Sequence, residues 1–220
     1  MLNVAIDGPA GAGKSSVARE VAARHGLLYL DTGALYRAVG LRALESGADT
    51  RDEAAVEALL PGTDISLRFV EGEQRVLLGD RDVSEDIRTQ PVAMAASDVS
   101  AMPAVRSFLL ELQRSIAAKN NCVMDGRDIG TVILPDADIK IFLTASAEER
   151  AARRVRQLAE KGKEADYATV VEEIKRRDEQ DSTREIAPLK PAPDACVIDS
   201  TNMTFEQVVA LISGMIGELV

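Results

Sequence analysis

At 220 residues and 46% hydrophobic content, the chain can build one α/β core; 3% aromatic content and no Trp make that core mostly aliphatic. A formal charge of −10 argues against general binding to nucleic acid or to an anionic membrane surface, so an anion site must come from local Arg and Lys clusters. No segment has the length and apolarity of a membrane span, no secretory leader is expected ahead of the first strand, and a single His without a C-x-x-C pair argues against zinc. A cytoplasmic protein is expected. Cys122 and Cys196 lie in separate apolar runs and are expected to be reduced core thiols.

Five short apolar runs read as buried parallel strands: 2–7, 27–31, 121–125, 139–143 and 195–199. Helical patterns cover 14–24, 33–46, 92–118, 147–160, 167–183 and 204–219. Alternating strands and helices predict an α/β fold with a parallel sheet flanked by helices. Four of the five runs end in Asp, and the fifth leads into Thr144 and Ser146. Ligands of open α/β sheets bind beyond those strand ends.

The first strand leads into Gly8-Pro9-Ala10-Gly11-Ala12-Gly13-Lys14-Ser15, followed by Ser16. Gly8, Gly13, Lys14 and Ser15 match the phosphate-loop pattern, with the strand before and the helix after that the chemistry requires. Glycines let backbone N–H groups wrap a polyphosphate, Lys14 reaches the β/γ-phosphates, and the Ser15 hydroxyl suits Mg²⁺. His25 ends this first helix beside Gly26, where a helix C-terminal role is expected.

Residues 63–90 interrupt the pattern. Ile65, Leu67 and Phe69 alternate with polar residues, Glu71-Gly72-Glu73 turns, Arg75–Leu78 returns, and Gly79-Asp80 turns again before Val83. This predicts a small antiparallel insertion. It reads either as an inert edge hairpin or as a loosely attached, mobile substrate-side module. Pro103 belongs at a helix start, so 92–118 is expected to split near Ala101.

Asp125 ends the third strand and suits Mg²⁺ through water, or else caps the next helix. Arg37 and Arg127, from two loops, have the chemistry to fork onto one monophosphate, or to make surface salt bridges. Arg177, Asp181 and Arg184 are spaced i, i+4, i+7, on one helix face if the helix runs that far. Solvated ion pairs are the alternative. Arg150, Arg153 and Arg154 form a second basic cluster, with Arg153 or Arg154 either near a donor nucleotide or on a solvated face.

Asp31-Thr32-Gly33-Ala34-Leu35-Tyr36-Arg37, Asp125-Gly126-Arg127-Asp128-Ile129-Gly130-Thr131, Ile87-Arg88-Thr89, the 140–146 segment, and Arg177-Asp178 through Arg184 to Ala187-Pro188-Leu189 closely resemble the bacterial cytidylate kinases. The resemblance runs from the first strand to Ile198-Asp199-Ser200. It implies a phosphate-loop nucleoside monophosphate kinase fold: one domain over 1–220, with core 1–62 and 91–220, the insertion at about 63–90 and a lid at about 153–184. It implies transfer of the ATP γ-phosphoryl group to CMP or dCMP in pyrimidine nucleotide metabolism, with Mg²⁺. It assigns ATP to the segment from Gly8 to Ser16 and to Arg153, and the metal to Ser15 and Asp125. CMP falls to Thr32, Tyr36, Arg37, Ser97, Arg106, Arg127, Asp128, Arg177, Asp181 and Arg184. Lys14, Arg37, Arg127 and Arg184 are the implied catalytic groups. Asp128, Arg106 and the Thr32 hydroxyl would read the base, while Ser97, Arg177 and Asp181 would hold the sugar. A helix-surface position is the alternative for Arg106. A monomer with small-molecule partners, no nucleic acid and no membrane is expected.

Three other functions compete: a kinase for AMP, UMP or a non-nucleotide acceptor; a nucleotide-dependent switch; and a nucleotide binder without turnover. A guanine-reading switch needs an N-K-x-D segment, which the sequence lacks. Intact Lys14, Ser15 and Asp125 speak against an inert binder.

Overall fold

A computed structural model describes residues 1–70, 73–160 and 162–219. In chain order the elements are β1 (Asn3–Asp7), α1 (Lys14–His25), β2 (Leu28–Asp31), α2 (Thr32–Glu45), α3 (Glu53–Glu57), β3 (Ile65–Val70), β4 (Glu73–Leu78), β5 (Arg81–Asp82), α4 (Gln90–Val99), α5 (Pro103–Lys119), β6 (Cys122–Gly126), β7 (Ile139–Thr144), α6 (Ala147–Glu160), α7 (Tyr167–Thr183), β8 (Cys196–Asp199) and α8 (Phe205–Gly217). The expected five-stranded parallel sheet is present, in the order β2-β6-β1-β7-β8, with a separate antiparallel sheet β3-β4-β5. The chain divides into two compact units, Leu28–Asn121 with Met1, and Leu2–Leu27 with Cys122–Val220.

In the second unit, β1 runs parallel between β6 and β7. Val4, Ala5 and Ile6 are fully buried, as a strand covered on both faces requires. Gly8 then turns with φ +145°, and a Cβ there would lie 1.9 Å from the carbonyl oxygen of Leu143. Only glycine lets the loop pass that close to β7. Helix α1 starts after Gly13 and stops at Gly26, whose left-handed conformation returns its N–H to the last carbonyls. His25 stands in that last turn, as expected. Strand β8 ends the sheet order, and only Ile198 of its four residues is buried. The sequence reading of two core thiols is therefore corrected. Both cysteines are free thiols, but Cys122 is buried and Cys196 is exposed on this edge strand.

In the first unit, Asp31 caps α2 by accepting from Ala34 N at 3.1 Å, so the helix begins one residue before the expected start. Gly40 lets α2 and α4 approach, since a Cβ there would lie 2.9 Å from Ala96 N. Pro103 occupies the first turn of α5, and α4 and α5 are separate helices as the sequence predicts. The insertion forms the expected hairpin, with Arg81–Asp82 as a short third strand; the turn at Glu71-Gly72 lies outside the described residues. Its attachment is firmer than its sequence suggests. Ile65, Val76, Val83 and Ile87 belong to one buried cluster with Leu35, Val39, Val99 and Leu109. Gln74 also brackets the start of α2, accepting from Asp31 N at 2.8 Å and donating to Asp31 O at 3.1 Å.

Candidate active site

The second unit carries the phosphate loop. Lys14 is buried, and its Nζ donates to Pro9 O at 2.8 Å. Burial, then the nearby Arg127 charge, pulls its pKa down to about 7, although Asp125, Asp7 and Asp181 oppose the shift. Ser15 Oγ donates to Asp125 Oδ2 at 2.8 Å, and Asp125 is buried at the end of β6. A hydroxyl and a carboxylate in contact are hard oxygen donors of the type Mg²⁺ prefers, so these residues fit the ion.

The segment after β6 carries two acid–arginine pairs. Arg127 Nε donates to Asp181 Oδ2 at 2.9 Å, and Arg184 Nη2 lies 3.7 Å from Asp128 Oδ1. The expected helical trio is corrected here. Helix α7 ends at Thr183, and Arg184 is extended, with ψ 141°. The chain then folds back, Leu189 N donating to Asp181 O and Arg184 Nε to Ala187 O, while Ala187 takes φ 49°. Arg184 thus approaches Asp128 from a loop. Arg177 is exposed on α7, four residues before Asp181.

Of the basic cluster on α6, Arg150 is the buried member, which sequence reasoning did not single out. Its Nη1 donates to Ala10 O at 3.0 Å in the phosphate loop and to Asp178 Oδ1 at 2.9 Å; its Nε donates to Ala145 O at 2.9 Å. The second Arg150–Asp178 bond makes the pair bidentate. Arg153 faces the same loop. Its Nη1 lies 4.0 Å from where a Gly13 side chain would begin, and its Nη2 donates to Ser200 O at 2.9 Å. Arg154 is exposed.

Asp7 is the other residue that sequence reasoning left without a role, although the run of strand-ending aspartates pointed to it. It is buried and accepts from Ile129 N and Gly130 N at 2.8 Å each. Burial raises its pKa to about 6, against the lowering effect of those two bonds.

The first unit groups its own candidates. Arg37 stands on α2 and not on a loop as expected, because Asp31 caps the helix ahead of it; its Nη2 pairs with Asp31 Oδ2 at 2.6 Å, and its Nε is buried without a hydrogen bond among the described residues. Arg106 is buried, so it is not a helix-surface residue. Its guanidinium carbon lies 5.8 Å above the centre of the Tyr36 ring, and Nη1 donates to Ser100 O at 3.1 Å. Thr32 is buried at the first turn of α2, and Ser97 is half-buried on α4.

A buried strand, a glycine-rich turn, a buried lysine and a serine–aspartate contact define a phosphate-loop protein. Comparison with known proteins narrows the class. The family model described as cytidylate kinase matches residues 4–218. The chain is 53% identical over 216 residues to the cytidylate kinase of Carboxydothermus hydrogenoformans, covering 98% of this chain and 97% of that one. It is 52% identical over 207 residues to the cytidylate kinase of Caldicellulosiruptor saccharolyticus, covering 94% and 92%, and 50% identical over 208 residues to that of Bacillus licheniformis, also covering 94% and 92%. The chain belongs to the cytidylate kinase family.

Proposed function

We propose that this protein transfers the γ-phosphoryl group of ATP to CMP or dCMP, giving ADP and CDP or dCDP. The family match over residues 4–218, with Lys14, Ser15 and Asp125 all intact, carries the reading. An oxygen of the acceptor phosphate attacks the γ-phosphorus, and the bond to the β,γ-bridging oxygen breaks. That nucleophile is already anionic, so positioning and charge neutralisation supply the catalysis.

The backbone from Gly8 to Ser16 would wrap the ATP phosphates, with Lys14 exchanging the Pro9 carbonyl for a phosphate oxygen and Arg153 on the donor side. Ser15 and Asp125 would hold Mg²⁺, which when bound spreads and neutralises phosphate charge. Arg37 and Arg127 would take the acceptor monophosphate, exchanging carboxylate partners for phosphate oxygens, and Arg184 would lie beside it. Asp181, Arg177 and Ser97 would hold the sugar.

Cytosine offers an amino donor at N4 and acceptors at N3 and O2. Asp128 suits the donor, and Arg106 and the Thr32 hydroxyl suit the acceptors, with Tyr36 alongside. Uracil would leave mismatched polar groups, which discriminates strongly. The proposal extends to a monomeric enzyme of pyrimidine nucleotide metabolism in the cytoplasm.

A coupled ADP-release assay over CMP, dCMP, UMP, AMP and GMP tests the reading. CMP and dCMP should support turnover. Preference for AMP, GMP or UMP would overturn it.

A further inference from the structure

We propose that Asp7 is a positioning residue that sets the base-reading segment, and with it the preference for cytosine over uracil. The inference rests on the proposed function, because it concerns how Asp128 is held.

A single turn of π-helix, Ile129–Ile133, follows Asp128. Asp128 stands at its N-cap position, with φ −145° and ψ 28°, and its carbonyl accepts from Val132 N and Ile133 N. An aspartate in that place ordinarily turns its own carboxylate back onto the first N–H groups of the turn. Asp128 makes no such bond. Asp7 does the capping from another strand: Oδ1 accepts from Ile129 N and Oδ2 from Gly130 N, both at 2.8 Å.

Both oxygens of one buried carboxylate are therefore committed to the two residues immediately after Asp128. The substitution is local and specific. The Asp128 carboxylate is directed away from its own turn and toward Arg184. Gly130 packs directly beside the carboxylate, since a Cβ there would be in contact with Asp7 Oδ2 at 3.4 Å and with the Lys140 side chain at 3.3 Å. Asp7 pairs in register with Gly126 and is followed directly by Gly8. The side chain of this one residue thus holds the direction of the proposed base reader, while its backbone leads into the phosphate loop.

Asp7→Asn keeps shape and changes one thing. A carboxamide accepts one N–H and turns its own N–H groups toward the other, so the turn loses its seat. The KM for CMP should rise by about 10-fold or more, and the CMP-over-UMP ratio of kcat/KM should fall by about 10-fold, because a tilted Asp128 no longer matches N4. ADP affinity measured calorimetrically without acceptor should change by less than about 3-fold, since the loop amides remain. Asp7→Glu keeps both acceptor oxygens but moves them by one methylene, and should shift the same ratio in the same direction, which keeps the inference testable if Asp7→Asn fails to fold. A prop that serves folding alone would lower thermal stability and leave the CMP-over-UMP ratio unchanged in both variants, and that result overturns the inference. An unsubstituted protein without preference for CMP overturns the proposed function instead, so the two failures are distinguishable.

Discussion

The ammonium of Lys14 donates to the carbonyl of Pro9, five residues earlier and 2.8 Å away, inside the loop it is expected to serve. A buried cation held by one neutral carbonyl is poised to exchange that partner for an anionic oxygen. Lys14→Met removes the charge and keeps much of the side-chain volume. Turnover should fall by at least about 10³-fold, with unfolding midpoints little changed. Steady-state kinetics on protein checked by circular dichroism decides it, and near-normal turnover would remove Lys14 from the mechanism.

The same residue predicts proton uptake. With a pKa near 7, Lys14 is largely neutral in the nucleotide-free protein at mildly alkaline pH, and a polyphosphate alongside restores its charge. Calorimetric titration with ADP at about pH 8.5, in buffers of different ionisation enthalpy, should show net proton uptake that Lys14→Met abolishes. Equal buffer dependence in both proteins would refute the depressed pKa. Without nucleotide, the unfolded chain holds the Lys14 proton more tightly than the folded one. This group's contribution therefore makes stability rise with pH between about 7 and 10.5.

The phosphate loop is legible in the sequence because its chemistry is contiguous: glycines, Lys14 and Ser15 stand in one run between one strand and one helix. The parallel strands are legible for a similar reason, since each is a short apolar run ending at the ligand edge. Roles that depend on a distant partner are not. Asp7 caps a turn 122 residues away, and Arg150 meets Asp178 from another helix. Helical spacing suggested a continuous face for Arg184, whereas the fold-back at Ala187 brings it to Asp128 from a loop. Arg106 is buried with its guanidinium over the Tyr36 ring, a contact from another helix that no local pattern encodes. Exposure of Cys196 follows from its place on the edge strand, which the apolar run alone does not give.

Arg150 and Asp178 make a third test, because Arg150 is almost wholly buried and also holds Ala10 O of the phosphate loop. Asp178→Asn leaves a buried guanidinium without its counter-charge, a change that costs about 3 kcal/mol in comparable settings. Urea denaturation should show the loss. The KM for ATP should rise too, since the same guanidinium supports the loop carbonyl. An unchanged midpoint with unchanged ATP kinetics would mean that the pair is energetically idle.

The insertion at 63–90 is packed into the core of the unit that carries it. Its alternating apolar residues suggest a small, loosely held face, but Ile65, Val76, Val83 and Ile87 lie in the same buried cluster as residues of α2, α4 and α5. Gln74 adds two hydrogen bonds to the backbone of Asp31, at the start of α2. A segment held this way opens with the elements it packs against, because separating it would expose their shared apolar surface. Amides of β4 and β5 should therefore exchange with protection similar to those of α2 and α4, and CMP should slow all of them together. Removing residues 63–90 should unfold the surrounding unit and not merely impair CMP use. Exchange of 73–83 at least about 10-fold faster than α2 and α4, with a response to CMP confined to those strands, would restore the independent module. So would a folded, ATP-binding deletion variant.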